Sequence, residues 1–184
     1  MSRTSSLVLA GLVLLGACGD DDSTGPDNPG GSSYELTVEG ALTADLEGTA
    51  AFAVVTDEGI TSFGIALTEA GGANTIVLER VGGTRPGTGT YDVGDLNADG
   101  EQDPAKFYAA FVAGTSQNPT DVYVSVSGTV TISKSTSDEV KGTIEMTLVG
   151  LQGEDEVTIA GEFDARGGAV TELSVARAPA RAGR

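Results

Sequence analysis

From Asp121 to Ser133 the apolar residues of this chain fall on alternate positions, and no other pattern restricts its fold as strongly. Val122, Val124, Val126, Val130 and Ile132 take the even numbers. Tyr123, Ser125, Ser127, Thr129, Thr131 and Ser133 between them are mostly polar. A period of two belongs to an extended strand whose side chains point alternately to core and solvent. The pattern returns in Val140, Ile144, Met146 and Leu148, set against Lys141, Thr143, Glu145 and Thr147. It returns again in Val157, Ile159 and Phe163, set against Glu156, Thr158, Glu162 and Asp164. Near the start, Leu36, Val38 and Leu42 alternate with Glu35, Thr37 and Glu39. No helical stripe of comparable strength follows the first apolar run of the chain.

Weaker versions of the pattern predict strands over Thr49–Asp57, Ile60–Thr68, Asn74–Val81, Thr90–Val93 and Lys106–Ala113. Turn-forming residues separate them: Asp57-Glu58-Gly59, Gly71-Gly72, Arg85-Pro86-Gly87, Ser137-Asp138 and Gly153-Glu154-Asp155. The expected fold is all-β, a single antiparallel sandwich or flattened barrel of about eight or nine strands, with short connections that favour a meander. A local motif of apolar, any, Gly, any, apolar recurs at Val38–Leu42, Val126–Val130, Val140–Ile144 and Ile159–Phe163. Its glycines, Gly40, Gly128, Gly142 and Gly161, fall on the buried face. They are read as setting sheet curvature or admitting large neighbours such as Phe163, in preference to making room for a ligand.

Residues 34–165 form one domain, long enough to bury a hydrophobic core. With no tryptophan and 5% aromatic residues, that core must be mostly Val, Ile, Leu and Ala. Acidic residues outnumber basic ones 27 to 10, a formal net charge of −17, and four of the ten basic residues are Arg166, Arg177, Arg181 and Arg184. A nucleic-acid partner bound through a basic face is therefore not expected. The stretch 166–184 reads as a basic C-terminal edge strand or tail, in which Val170, Leu173 and Val175 supply the apolar positions.

At the other end, Arg3 precedes an uninterrupted apolar run from Leu7 to Leu15. The run is shorter than the roughly 20 residues a bilayer-spanning helix needs, and it suits the apolar region of a signal peptide. It closes on Leu15-Gly16-Ala17-Cys18, which holds the single cysteine of the chain. This segment resembles the lipobox of bacterial lipoproteins. The resemblance implies cleavage between Ala17 and Cys18, removal of residues 1–17, and attachment of a diacylglycerol carrying acyl chains such as palmitate to the Cys18 thiol. One acyl chain binds a membrane only marginally, so the further amide-linked chain added in Gram-negative bacteria makes retention stable. Gly19, and not an aspartate, follows the cysteine, which leans towards the outer membrane. Residues 18–33, including the acidic, Gly- and Pro-containing GDDDSTGPDNPGGSS, carry too little apolar surface to offset the entropy of ordering and are expected to be a flexible tether. Together with Gly89-Thr90-Tyr91 and the Gly-Thr pairs at 128–129 and 142–143, the chain resembles small β-domain lipoproteins of environmental bacteria. With its cysteine committed to lipid, the domain has no disulfide, and its stability must come from the sheet.

The most chemically suggestive segment is Asp95-Leu96-Asn97-Ala98-Asp99-Gly100-Glu101-Gln102-Asp103. It resembles the calcium loops of EF-hand and dockerin-like modules. Oxygens of Asp95, Asn97 and Asp99 would converge on a hard cation, Glu101 would offer its carbonyl, and Asp103 a direct or water-bridged contact. Where those families place a bidentate acid, this chain has Lys106, and a strand replaces the exiting helix. A structural calcium ion is thus the one cofactor the residues suggest; the alternative is an acidic turn.

Catalysis is trimmed by composition. The chain lacks histidine, which removes Ser-His-Asp and Cys-His arrangements and histidine-ligated zinc. No phosphate-binding glycine loop or nucleophile elbow is present. A two-carboxylate glycan-active enzyme is the remaining catalytic alternative, and the absence of tryptophan argues against it. The expected function is a non-catalytic, membrane-anchored extracytoplasmic β-domain that binds an envelope protein or glycan or fills a structural role. A small apolar-ligand carrier with a lipocalin-like barrel is the alternative, and it requires an internal cavity.

Overall fold

The computed structural model describes residues 31–57, 60–98, 101–115, 118–151 and 155–167. The signal-peptide and lipobox positions, Cys18 included, and the tail from 168 onward lie outside these. Nine strands follow one another: β1 (Ser33–Gly40), β2 (Ala44–Asp57), β3 (Ile60–Glu69), β4 (Asn74–Val81), β5 (Gly89–Asp92), β6 (Tyr108–Thr115), β7 (Asn118–Ser135), β8 (Glu139–Gly150) and β9 (Glu156–Gly167). Each pairs antiparallel with the next, except that the short β5 is passed over, and β9 returns to β1. The result is a closed eight-stranded barrel of meander topology with β5 added alongside β7. Closure removes the sheet edges that an open sandwich would leave for aggregation.

The registers follow from the hydrophobic alternation. In β1 the exposed and buried positions alternate, with Tyr34, Leu36 and Val38 facing inward. In β8 and β9 the expected Val140, Ile144, Met146, Leu148, Val157, Ile159 and Phe163 are all buried. An eight-stranded barrel is just wide enough for its own side chains to fill it. This one is filled by a single cluster that includes Phe63, Phe107, Phe111, Ile65, Leu67 and Leu78, each essentially inaccessible. The core is aliphatic by number, as composition requires, but all five phenylalanines are buried within it. Phe111 stacks on Tyr123 at 5.8 Å, and Tyr91 meets Phe107 edge-on at 5.6 Å. Arg80 lies 5.4 Å from the Tyr91 ring centre, adding a cation–π contact beside the Tyr91–Phe107 pair.

Two expectations are corrected. The strand start near residue 49 lies at Ala44, because Leu46 also joins the core. The even-numbered face of residues 122–132 is not one face. β7 carries bulges at Ser125–Ser127 and Ile132–Lys134. Before the first bulge Tyr123 enters the core; after it Val130 and Ile132 do. One extra residue in a strand sends every later side chain to the opposite side.

The motif glycines sit where neighbouring backbones come close. A Cβ on Gly161 would lie 2.2 Å from the Glu35 carbonyl oxygen, and one on Gly142 would lie 3.0 Å from Cζ of Phe163. The large neighbour read from the motif is present at Gly142, and at Gly161 the room is taken by the backbone of β1.

Candidate functional site

The acidic segment 95–103 is held by a splay in the barrel wall. β6 and β7 pair from Thr115–Asn118 to Ala110–Val124 and then part. Val93 and Gly94 enter the gap: Val93 N–H donates to the Gly128 carbonyl, Gly94 N–H to the Phe107 carbonyl, and Phe107 N–H to that of Asp92. Ser125, fully buried, stitches the two sides. Its Oγ accepts the Ala109 N–H at 3.0 Å and donates to the Gly94 carbonyl at 2.8 Å, while its own carbonyl accepts the Leu96 N–H at 2.8 Å. Alternation assigns Ser125 to the solvent side; the bulge beside it and the splay turn it inward. Tyr108 completes the base. Its ring covers Gly94, where a Cβ would lie 2.5 Å from Cε1, and its hydroxyl accepts the Asp103 N–H at 2.7 Å.

Within that frame the candidate calcium ligands serve the loop itself. Asp95 Oδ1 accepts the Asn97 N–H at 2.8 Å, and Asp103 Oδ1 accepts the Ala105 N–H at 2.8 Å. Both are side-chain turns of the kind Asp makes with its own backbone two residues on. Asp95, Asn97, Glu101 and Asp103 are exposed, and Asp99 with Gly100 lies outside the described residues. Among the described residues no group of three or more acidic, cysteine or histidine side chains converges to hold a metal ion.

The outer wall of the barrel divides into two unlike halves. Around β1, β9, β8, the second half of β7 and β5, the outward rungs are acidic and hydroxylic. One runs Glu47–Glu35–Glu162–Thr143–Thr131–Thr90, and the next Asp45–Thr37–Ala160–Glu145–Thr129–Asp92. A shallow open depression of about 310 Å³ lies here beside the bulge, lined by Gly128, Thr129, Glu145, Met146, Thr147 and Thr158. At one end of this half, Glu139 accepts from Lys134, from Lys141 at 2.9 Å and from Arg166 at 3.2 Å, while Lys141 also reaches Asp164 at 2.7 Å. These cations hold the Glu139 carboxyl down to about 2, and the two carboxylates raise the Lys141 ammonium above its ordinary value.

The half formed by β2, β3, β4, β6 and the start of β7 is neutral. Its outward rungs are Thr49–Thr68–Thr75–Val112–Val122, Ala51–Ala66–Val77–Ala110–Val124, Ala53–Gly64–Glu79–Tyr108 and Val55–Ser62–Val81. Glu79 is the single charged side chain in these four rungs. Most of these side chains are half-buried, and Ser62, Ala66, Tyr108 and Val124 are buried, Tyr108 beneath the 94–103 segment. At the strand and residue spacings of a sheet, five strands by four rungs cover on the order of 400 Å². The largest apolar patch of an ordinary monomer is about that size and is often functional. Val122 and Val124 entered the alternation as buried residues; the register turns both to this outer wall, where Val122 is half-buried and Val124 is nonetheless buried, 1% exposed. Comparison with protein-family models, with curated proteins and with solved structures finds no match to this chain, so its surface is read from geometry alone.

Proposed function

We propose that this chain is a lipoprotein of the bacterial cell envelope, anchored through lipidated Cys18 outside the cytoplasm, with the outer membrane favoured. Its barrel binds an envelope protein and performs no catalysis. The observation that carries the binding role is the neutral half-wall, whose Ala, Val, Thr and Gly rungs, with Glu79 their one charge, offer a low surface to another protein on an otherwise acidic molecule. A glycan partner would suit the hydroxylic half better, but that half has no aromatic platform among its outward rungs. The filled interior, with Phe63, Phe107 and Phe111 inaccessible, counts against an apolar-ligand carrier.

The test has two arms. Cys18→Ser releases the protein from the membrane fraction if the anchor reading holds; an unchanged membrane fraction refutes it. In the anchored protein, Val77→Lys puts a charge at the centre of the neutral wall. It should abolish cross-linking to the envelope partner while leaving melting temperature within a few degrees of wild type. Cross-linking that persists at wild-type yield rules out this wall as the binding surface.

A further inference from the structure

Arg80 stands on the core side of the barrel wall, one residue before β4 ends. Its register partner on β3 is the inaccessible Phe63, and opposite residues of an antiparallel pair share a face. Its guanidinium carbon lies 5.4 Å from the Tyr91 ring centre. Nε is buried and has no acceptor, and Nη1 makes a long 3.5 Å bond to the Thr84 carbonyl. Five residues on, Arg85 donates from Nε to Ser135 Oγ at 3.2 Å, and Ser135 donates in turn to the Pro86 carbonyl. Both guanidiniums are thus tied to one stretch of backbone, Thr84–Pro86, where the connection from β4 to β5 touches β7. Among the described residues neither has a carboxylate in contact, although acidic side chains outnumber basic ones in this chain. Lys134, Lys141 and Arg166 each hold at least one.

We infer that Arg80 and Arg85 bind an anion supplied from outside the chain, and that the group they recognise is a phosphate. Taking a cation partly out of water without a counter-ion is costly, and one ring face offsets part of that cost. A buried donor with no acceptor adds to it. Each guanidinium carries a planar fork of donors that matches phosphate oxygens, and two guanidiniums match a double negative charge. The loop between them brings no carboxylate of its own, since residues 81–86 read Val-Gly-Gly-Thr-Arg-Pro. Free phosphate and a lipid headgroup present the same chemistry to this pair. The inference is independent of the lipid anchor and of any partner on the neutral wall.

The test titrates the full-length Cys18→Ser chain with inorganic phosphate, against chloride at equal ionic strength, while the Nε–Hε resonances of both arginines are followed. Phosphate should shift both saturably, and chloride should not. Arg85→Gln, at an exposed position that the fold does not need, should weaken binding about tenfold, and Arg80→Gln likewise. Arg80→Lys keeps the charge but loses the fork, and should weaken binding nearly as much. Arg166→Gln, already committed to carboxylates, should bind as wild type. Sedimentation with vesicles of phosphatidylglycerol in phosphatidylcholine separates the sources. Arg85-dependent binding to vesicles assigns the phosphate to a lipid headgroup, and phosphate binding without vesicle binding assigns it to a soluble molecule. The absence of a saturable phosphate shift, an equal response to chloride, or wild-type phosphate binding by Arg85→Gln would each overturn the inference.

Discussion

At the scale of single residues, the molecule depends on places where a side chain is missing or a charge is enclosed. Gly161 has a φ of +150° and leaves no room for a Cβ against the Glu35 carbonyl. Gly161→Ala combines backbone strain with a collision, and is expected to cost about 3 kcal/mol in denaturant unfolding. Gly71→Ala, at a turn where φ is +85° but nothing lies within 4 Å, should cost only about 1 kcal/mol. Equal losses would show that close approach is not what the Gly161 position requires. Glu139 gives a prediction in pH. Its carboxyl is held at about 2 in the folded protein against an ordinary 4.5. A lowered folded-state pKa means that the stabilisation is present above the ordinary value and is lost as pH falls from about 4.5 towards 2. Glu139→Gln should lower the melting temperature at neutral pH and flatten its decline through that window; parallel wild-type and variant curves would contradict the assignment.

At the scale of elements, the strands were legible in the sequence wherever one face alone is buried. Asn74–Val81 has the bounds expected of it, and β8 and β9 bury the residues their alternation marks. What alternation could not disclose is a change of phase. The bulge at Ser125–Ser127 leaves Val122 half-buried on the outer wall and draws Ser125 inside, although Val124 stays buried, and nothing in the serine- and valine-rich run signals it. Thus the residue that fixes the 95–103 loop was hidden, although the loop itself was conspicuous by its Asp, Asn and Gly content. Ser125→Ala leaves the Ala109 N–H and the Gly94 carbonyl without their buried partner. The expected loss is about 1–3 kcal/mol, with faster hydrogen exchange at Ala109 and Leu96 before the rest of the barrel. A variant as stable as wild type, with unchanged exchange there, would show that Ser125 does not join the two sides. The neutral wall was illegible for a related reason: a valine facing outward from a barrel looks the same in sequence as a valine facing in.

At the scale of the whole molecule, one meander wraps a filled core and leaves two unlike exteriors, one acidic and hydroxylic, the other neutral. Like-charged side chains in the rung Glu47–Glu35–Glu162 repel one another and suit exposure to water. A neutral half-wall has no such reason to stay solvated, which is why a protein partner is proposed for it. The proposed lipid anchor outside the cytoplasm is tested most directly by the intact mass of the protein extracted from native membranes. It predicts a polypeptide beginning at Cys18 and heavier than its sequence by a diacylglyceryl group, with or without one amide-linked acyl chain. A mass matching the chain from Met1, or a mature Cys18 bearing no lipid, would contradict it.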